Sequence, residues 1–176
     1  RTILPSVLFV LITSNSVFAD NYSLSFDGVD DYVDITNSNS ITDFSNSGLS
    51  ILATVKMASS QPGDQRIISA WGNRGIFLLY TNGSNLIFNL DGTNVSTTEV
   101  DFTSYLGKWV TIAAVYDNNL PKVYFDGTLV GQGTEQNGNV NDVNTYNGGN
   151  LAIGKCNSNC GDDFAKVDID AIAIWN

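Results

Sequence analysis

An all-β fold, two antiparallel sheets packed face to face as a β-sandwich, is what this sequence predicts, and three observations carry the prediction. From Asp20 onward the apolar residues recur with period two, not with the 3.6 of a helix. Turn pairs such as Asp27-Gly28, Asn82-Gly83, Asp91-Gly92 and Asp126-Gly127 separate short apolar segments. The acidic residues are sixteen Asp against two Glu, Glu99 and Glu135, and Asp with Asn and Gly favours turns over helices because these residues bond their own backbone or accept positive φ.

Taken in order, the chain opens on Arg1 and an apolar run, Ile3 to Ile12, followed by Val17-Phe18-Ala19. A short apolar run with a small-residue site behind it predicts a secretory signal peptide over 1–19, cut after Ala19, and a domain over 20–176. The run is too short for a permanent span, and no second such run follows. The alternating segments then predict strands over 23–27, 31–35, 49–56, 66–71, 75–80 and 85–90, and later over 108–116, 121–125, 128–130, 150–154 and 165–175. Residues 131–149, rich in Gly, Asn and Asp, read as one long loop, and loops of that length in compact domains usually carry function.

Composition excludes several kinds of function. The formal net charge is −10, with 8 Lys and Arg against 18 Asp and Glu. Binding to nucleic acid or to an anionic membrane surface draws its affinity from Lys and Arg, so neither is expected. The chain has no His, which removes Ser-His-Asp and Cys-His catalysis and any His-ligated zinc. Cys156 and Cys160 are the two cysteines, and in an exported protein an even pair this close is expected to form a disulfide. So small a loop contributes only about 2 kcal/mol through chain entropy.

Three segments occur together in a familiar order. Phe26-Asp-Gly-Val-Asp-Asp-Tyr-Val33 opens the domain. Lys108-Trp-Val-Thr-Ile-Ala-Ala-Val-Tyr-Asp117 leads into Lys122-Val-Tyr-Phe-Asp-Gly-Thr-Leu-Val130. Leu151-Ala-Ile-Gly154 and then Ile169-Asp-Ala-Ile-Ala-Ile-Trp-Asn176 close it. This series resembles the laminin-G-like branch of the concanavalin A-like lectin/glucanase superfamily, over about Tyr22 to Asn176. The resemblance implies a concanavalin A-like jelly roll, and a fold that hosts lectins, adhesion modules and glycosidases alike. Trp109, Ile112, Val115, Val123 and Phe125 are bulky enough to fill the space between two sheets. Asp168, Asp170, Ile172 and Ile174 are two apart, so a regular strand puts Asp170 on the core side with the two isoleucines.

Catalysis is not expected. A retaining glycosidase needs two carboxyls about 5 Å apart, and the nearest pattern, Asp168 and Asp170, falls on the closing strand and lacks Glu. The expected function is a secreted or periplasmic binding module that recognises an extracellular glycan or a surface protein, with a structural or assembly subunit as the alternative and a glycoside hydrolase behind both. Trp71, Asn73, Arg74, Tyr80 and Asn82 offer aromatic faces and amide groups at strand ends, where scaffolds usually hold binding residues. Asp27, Asp30 and Asp31 near the start and Asp168 and Asp170 near the end supply carboxylates for a structural calcium ion, provided the terminal strands lie side by side.

Overall fold

The structure is a computed structural model and describes residues 22–35, 48–59, 63–70, 77–90, 96–117, 120–134, 151–156 and 163–175. The strands are β1 (Leu24–Asp27), β2 (Val33–Ile35), β3 (Gly48–Met57), β4 (Asp64–Ala70), β5 (Phe77–Asn82), β6 (Asn85–Leu90), β7 (Ser96–Asp101), β8 (Val110–Asp117), β9 (Leu120–Phe125), β10 (Thr128–Gln132), β11 (Leu151–Ile153) and β12 (Lys166–Trp175). They form two six-stranded antiparallel sheets. One runs β1-β12-β3-β8-β9-β10 and the other β2-β11-β4-β5-β6-β7.

Local chemistry explains the hairpins. Asn82 pairs with Asn85 around Gly83 and Ser84, and Gly83 takes a positive φ. Asp126 and Gly127 both take positive φ between Phe125 and Thr128, the geometry of a tight hairpin turn that matches strand twist. Asp126 also ties this turn to β8: its Oδ1 accepts from the Thr111 amide at 2.9 Å and its own amide donates to Thr111 O at 2.8 Å.

Period two then builds the core. β3 buries Leu49, Ile51, Ala53, Val55 and Met57 on one face, and β8 buries Val110, Ile112, Ala114 and Tyr116. Opposite them lie Ile67, Ile68 and Ala70 of β4, Leu79 of β5, and Leu86, Phe88 and Leu90 of β6. Phe102 and Phe125 meet edge to face with ring centroids 5.3 Å apart, next to Tyr105 on the 3-10 turn Thr103–Tyr105. Each large apolar side chain hidden in this way contributes about 1.5–3 kcal/mol.

Three findings about strand extent and pairing differ from the sequence reading. Strand β7 was not expected: Ser96-Thr-Thr-Glu-Val-Asp101 is polar because it is an edge strand, turning only Thr98 and Val100 inward among its described side chains. The expected 131–149 loop starts later, since Gly131 and Gln132 belong to β10 and the Gly133 amide bonds Pro121 O; residues 135–150 lie outside the described residues. The third is a β-bulge in β12. Ile169 pairs with Val55 and Ala171 with Thr54, leaving Asp170 as the extra residue. The bulge reverses the face, so Val167 and Ile169 point inward before it and Ile172 and Ile174 after it, while Asp170 is exposed. The core-side placement expected for Asp170 is therefore wrong, because it assumed an unbroken pleat.

Candidate functional site

The expected rim of binding residues is described only in part. Trp71, Asn73 and Arg74 lie outside the described residues. Tyr80 and Asn82 sit at the end of β5 and are occupied with structural work. The Arg66 guanidinium stacks on the Tyr80 ring at 4.1 Å and bonds Asp64 at 2.7 Å and Asp163 at 3.0 Å. Asn82 Nδ2 donates to the same Asp64 at 2.6 Å. Burial raises the Tyr80 phenol above its ordinary value, with the Arg66 charge pulling the other way. One face of the ring is thus already covered by a cation.

β1 pairs with β12, so the opening and closing strands lie side by side, the condition set for a shared calcium site. Their aspartates are not gathered by this. Asp27 Oδ1 accepts from the Val29 amide at 2.7 Å, and Asp31 Oδ2 accepts from the Asp27 amide at 3.1 Å, so these two carboxylates hold the turn after β1. Asp168 stands opposite Ser25 and pairs with Lys56 at 3.4 Å. Asp30 is exposed, and Asp170 projects from the bulge. Among the described residues no three His, Cys, Asp or Glu side chains converge as a metal-holding group. Cys156 is buried and none of the described cysteines is free, while its expected partner Cys160 lies outside the described residues.

A different constellation forms where β1, β12 and β3 meet the segment entering β8. Tyr22, Ser23, Thr54, Trp109 and Asp170 line an open pocket of about 440 Å³ on the outer face of the first sheet. Trp109 is 46% exposed and Tyr22 80%. The sequence reading placed Trp109 in the core, and the structure corrects this. Trp109 has the parity of Thr111, Ala113 and Val115, the residues of β8 that face outward, so Val115 too lies on the outer face. Trp109 is also held from both sides: the Gly107 amide donates to Met57 O at 2.8 Å, and Thr111 is fixed by Asp126. Thr54 shares a 3.1 Å hydrogen bond with Thr111, and β12 presents Asp170 because of the bulge beside Thr54.

Chemically, the pocket joins two exposed aromatic rings to hydroxyls and a carboxylate. Rings with an apolar face and a polar partner nearby suit ligands that are apolar on one side and hydroxylated on the other. Below it, on the same outer face, a row of apolar residues crosses five strands in register: Ala173, Leu52, Ala113, Tyr124 and Leu129. The sequence singled out none of Tyr22, Ser23 or Thr54. The parity of Trp109 against the inward Val110 and Ile112 was the one signal available.

Known proteins bear on the fold. No curated protein matches the sequence. Solved structures that share the fold include the following three. A carbohydrate-binding module of the Ruminococcus gnavus IT-sialidase, bound to alpha2,3 sialyllactose, superposes with a TM-score of 0.67 at 13% identity, over 87% of this chain and 89% of that one. Domains LG4-5 of the mouse laminin alpha1 chain give 0.64 at 12% identity, over 88% of this chain. The receptor binding domain of botulinum neurotoxin type G gives 0.57 at 16%, over 88% of this chain. This chain spans only 41% of the laminin chain and 43% of the toxin domain. At these identities the likeness is one of fold. A model of the laminin G kind, described as the concanavalin A-like lectin/glucanases superfamily, matches residues 27–176. With the two facing sheets and the paired first and last strands, that match makes this chain a member of the laminin G-like branch of the concanavalin A-like superfamily.

Proposed function

We propose that this protein is an exported, non-catalytic module that binds glycans on the outer face of its first sheet. The single observation that carries the reading is the pocket in which Trp109 and Tyr22, both exposed, stand with Thr54 and Asp170. Large aromatics are left in water at a cost, and a cluster of them around a concave polar spot marks a binding surface. The superfamily's enzymes work with converging carboxyl pairs. Here Asp170 is the one acid among the pocket's described lining residues, and Asp168 is held by Lys56. The similarity of fold to a carbohydrate-binding module and to a receptor-binding domain supports recognition over chemistry. Among the described residues no helix is long and apolar enough to cross a membrane.

A glycan array on protein recovered from culture medium, with an N-terminus at Asp20 if the leader is cleaved, tests the reading. The wild type is expected to bind at least one glycan class, and Trp109→Ala to lose that binding at least tenfold while keeping its melting curve. Running the array with calcium and with a chelator shows whether a cation takes part. Binding that survives both Trp109→Ala and Tyr22→Ala would remove the pocket from the function.

A further inference from the structure

We infer that the pocket at Trp109 selects neutral pyranoses and rejects sugars carrying a carboxylate or sulfate; the inference rests on the glycan-binding reading above. Its source is the electrostatic character of the pocket. Asp170 is exposed and is the extra residue of the β12 bulge, so it stands clear of the ladder with its carboxylate open to a ligand. Its neighbour Ala171 adds almost no bulk beside it. An ionised carboxylate accepts hydrogen bonds and donates none. Two vicinal hydroxyls of a pyranose can donate to its two oxygens, and such charge-assisted bonds are the strong ones. Thr54 offers a hydroxyl that can donate or accept, already oriented by Thr111 at 3.1 Å. Trp109 and Tyr22, both exposed at the pocket, supply aromatic surface for the C–H side of the sugar.

An anionic sugar finds hydroxyl donors but no cation among the described residues that line the pocket. None of the described residues lining the pocket is Lys or Arg. The nearest cation along β3 is Lys56, two residues beyond Thr54 on the same face, and its Nζ lies 3.4 Å from Asp168. Lys108, the chain neighbour of Trp109, donates its Nζ to Ser104 O at 2.9 Å, so among the described lining residues a ligand carboxylate would meet Asp170 and no cation, in a chain whose formal net charge is −10. Specificity arises as much from such a repulsion as from attraction.

The experiment compares affinities for three probes: neutral hexose oligosaccharides, the same chains capped with sialic acid, and the same chains carrying sulfate. Wild-type protein is expected to bind the neutral set at least tenfold more tightly than either anionic set. Asp170→Asn removes the charge and keeps an acceptor, and it is expected to bring the three sets within about threefold. Asp170→Ala is expected to weaken the neutral set at least fivefold. The exposed position lets both variants keep the wild-type melting curve. Equal or tighter binding of sialylated or sulfated chains by the wild type, still lost in Trp109→Ala, would overturn the selectivity and leave the site standing. Binding insensitive to Trp109→Ala would overturn the site itself.

Discussion

Arg66 shows what a single side chain can do in a sandwich this small. It is 5% exposed, and it joins β4 to the segment before β12 through Asp64 and Asp163 while covering Tyr80. Its planar fork meets two carboxylates at once and still presents a flat face to a ring, which a lysine cannot do. Both acids are about a quarter to a third exposed, so solvent screens part of the attraction. Arg66→Ala is expected to cost about 2 kcal/mol, the scale of a hydrogen bond to a charged group. In a domain of this size that lowers the melting temperature by about 4–8 °C. Arg66→Lys should recover less than half of the loss. A melting curve unchanged in Arg66→Ala would show the cluster to be decorative. Little of this was legible beforehand. Gln65-Arg66 reads as the polar lead-in to a strand, and the partner Asp163 lies 97 residues further on, across the sandwich.

At the scale of elements, the edges decide how the two sheets close. β10 ends the first sheet and β7 the second, and they come together at a β-bulge between Leu129 and Gly131. Gly131 lies directly over Val100 and Thr98 of β7, so near that a side chain there would collide with Val100. Gly131→Ala is therefore expected to cost about 1–3 kcal/mol by overpacking, read as a fall in the denaturation midpoint. A fall of similar size in Gly127→Ala, where open space surrounds the turn, would reflect backbone φ instead. Equal stability of Gly131→Ala and wild type would mean that the edges can part. The sequence showed most strands because their pleat alternates, and it showed the hairpin turns because Asn-Gly and Asp-Gly have few other uses. It hid β7, whose described side chains bring one apolar residue to the core. It also misplaced Trp109: parity puts Trp109 and Ile112 on opposite faces, but Val110 to Tyr116 is apolar on both faces except at Thr111, so parity alone does not say which of the two is inside. Bulges are invisible to an argument from period two, and one of them put Asp170 in the pocket.

Across the whole molecule, the order of strands was legible only through the resemblance. No local signal says that β3 lies between β12 and β8, or that β1 and β12 are neighbours. That last pairing has a mechanical side. Leu24 faces Ile169 and Asp27 faces Lys166, so the start of β1 and the far end of β12 leave the ladder in the same direction. Tension applied between residues 22 and 175 accordingly opens this ladder one bonded pair at a time, instead of shearing all pairs together. β1 is four residues long and gives way first, drawing Phe26 from the core and lifting Tyr22 and Ser23 off the pocket. Single-molecule pulling between those two positions is expected to show a small early extension at low force, before the main rupture, and bound glycan should dissociate at that early step. One cooperative rupture with the ligand retained would contradict it. On the glycan-binding reading proposed above, a grip assembled partly from the first strand to peel is one that slackens under load, so that a surface held by this protein would be released by traction well before the domain unravels.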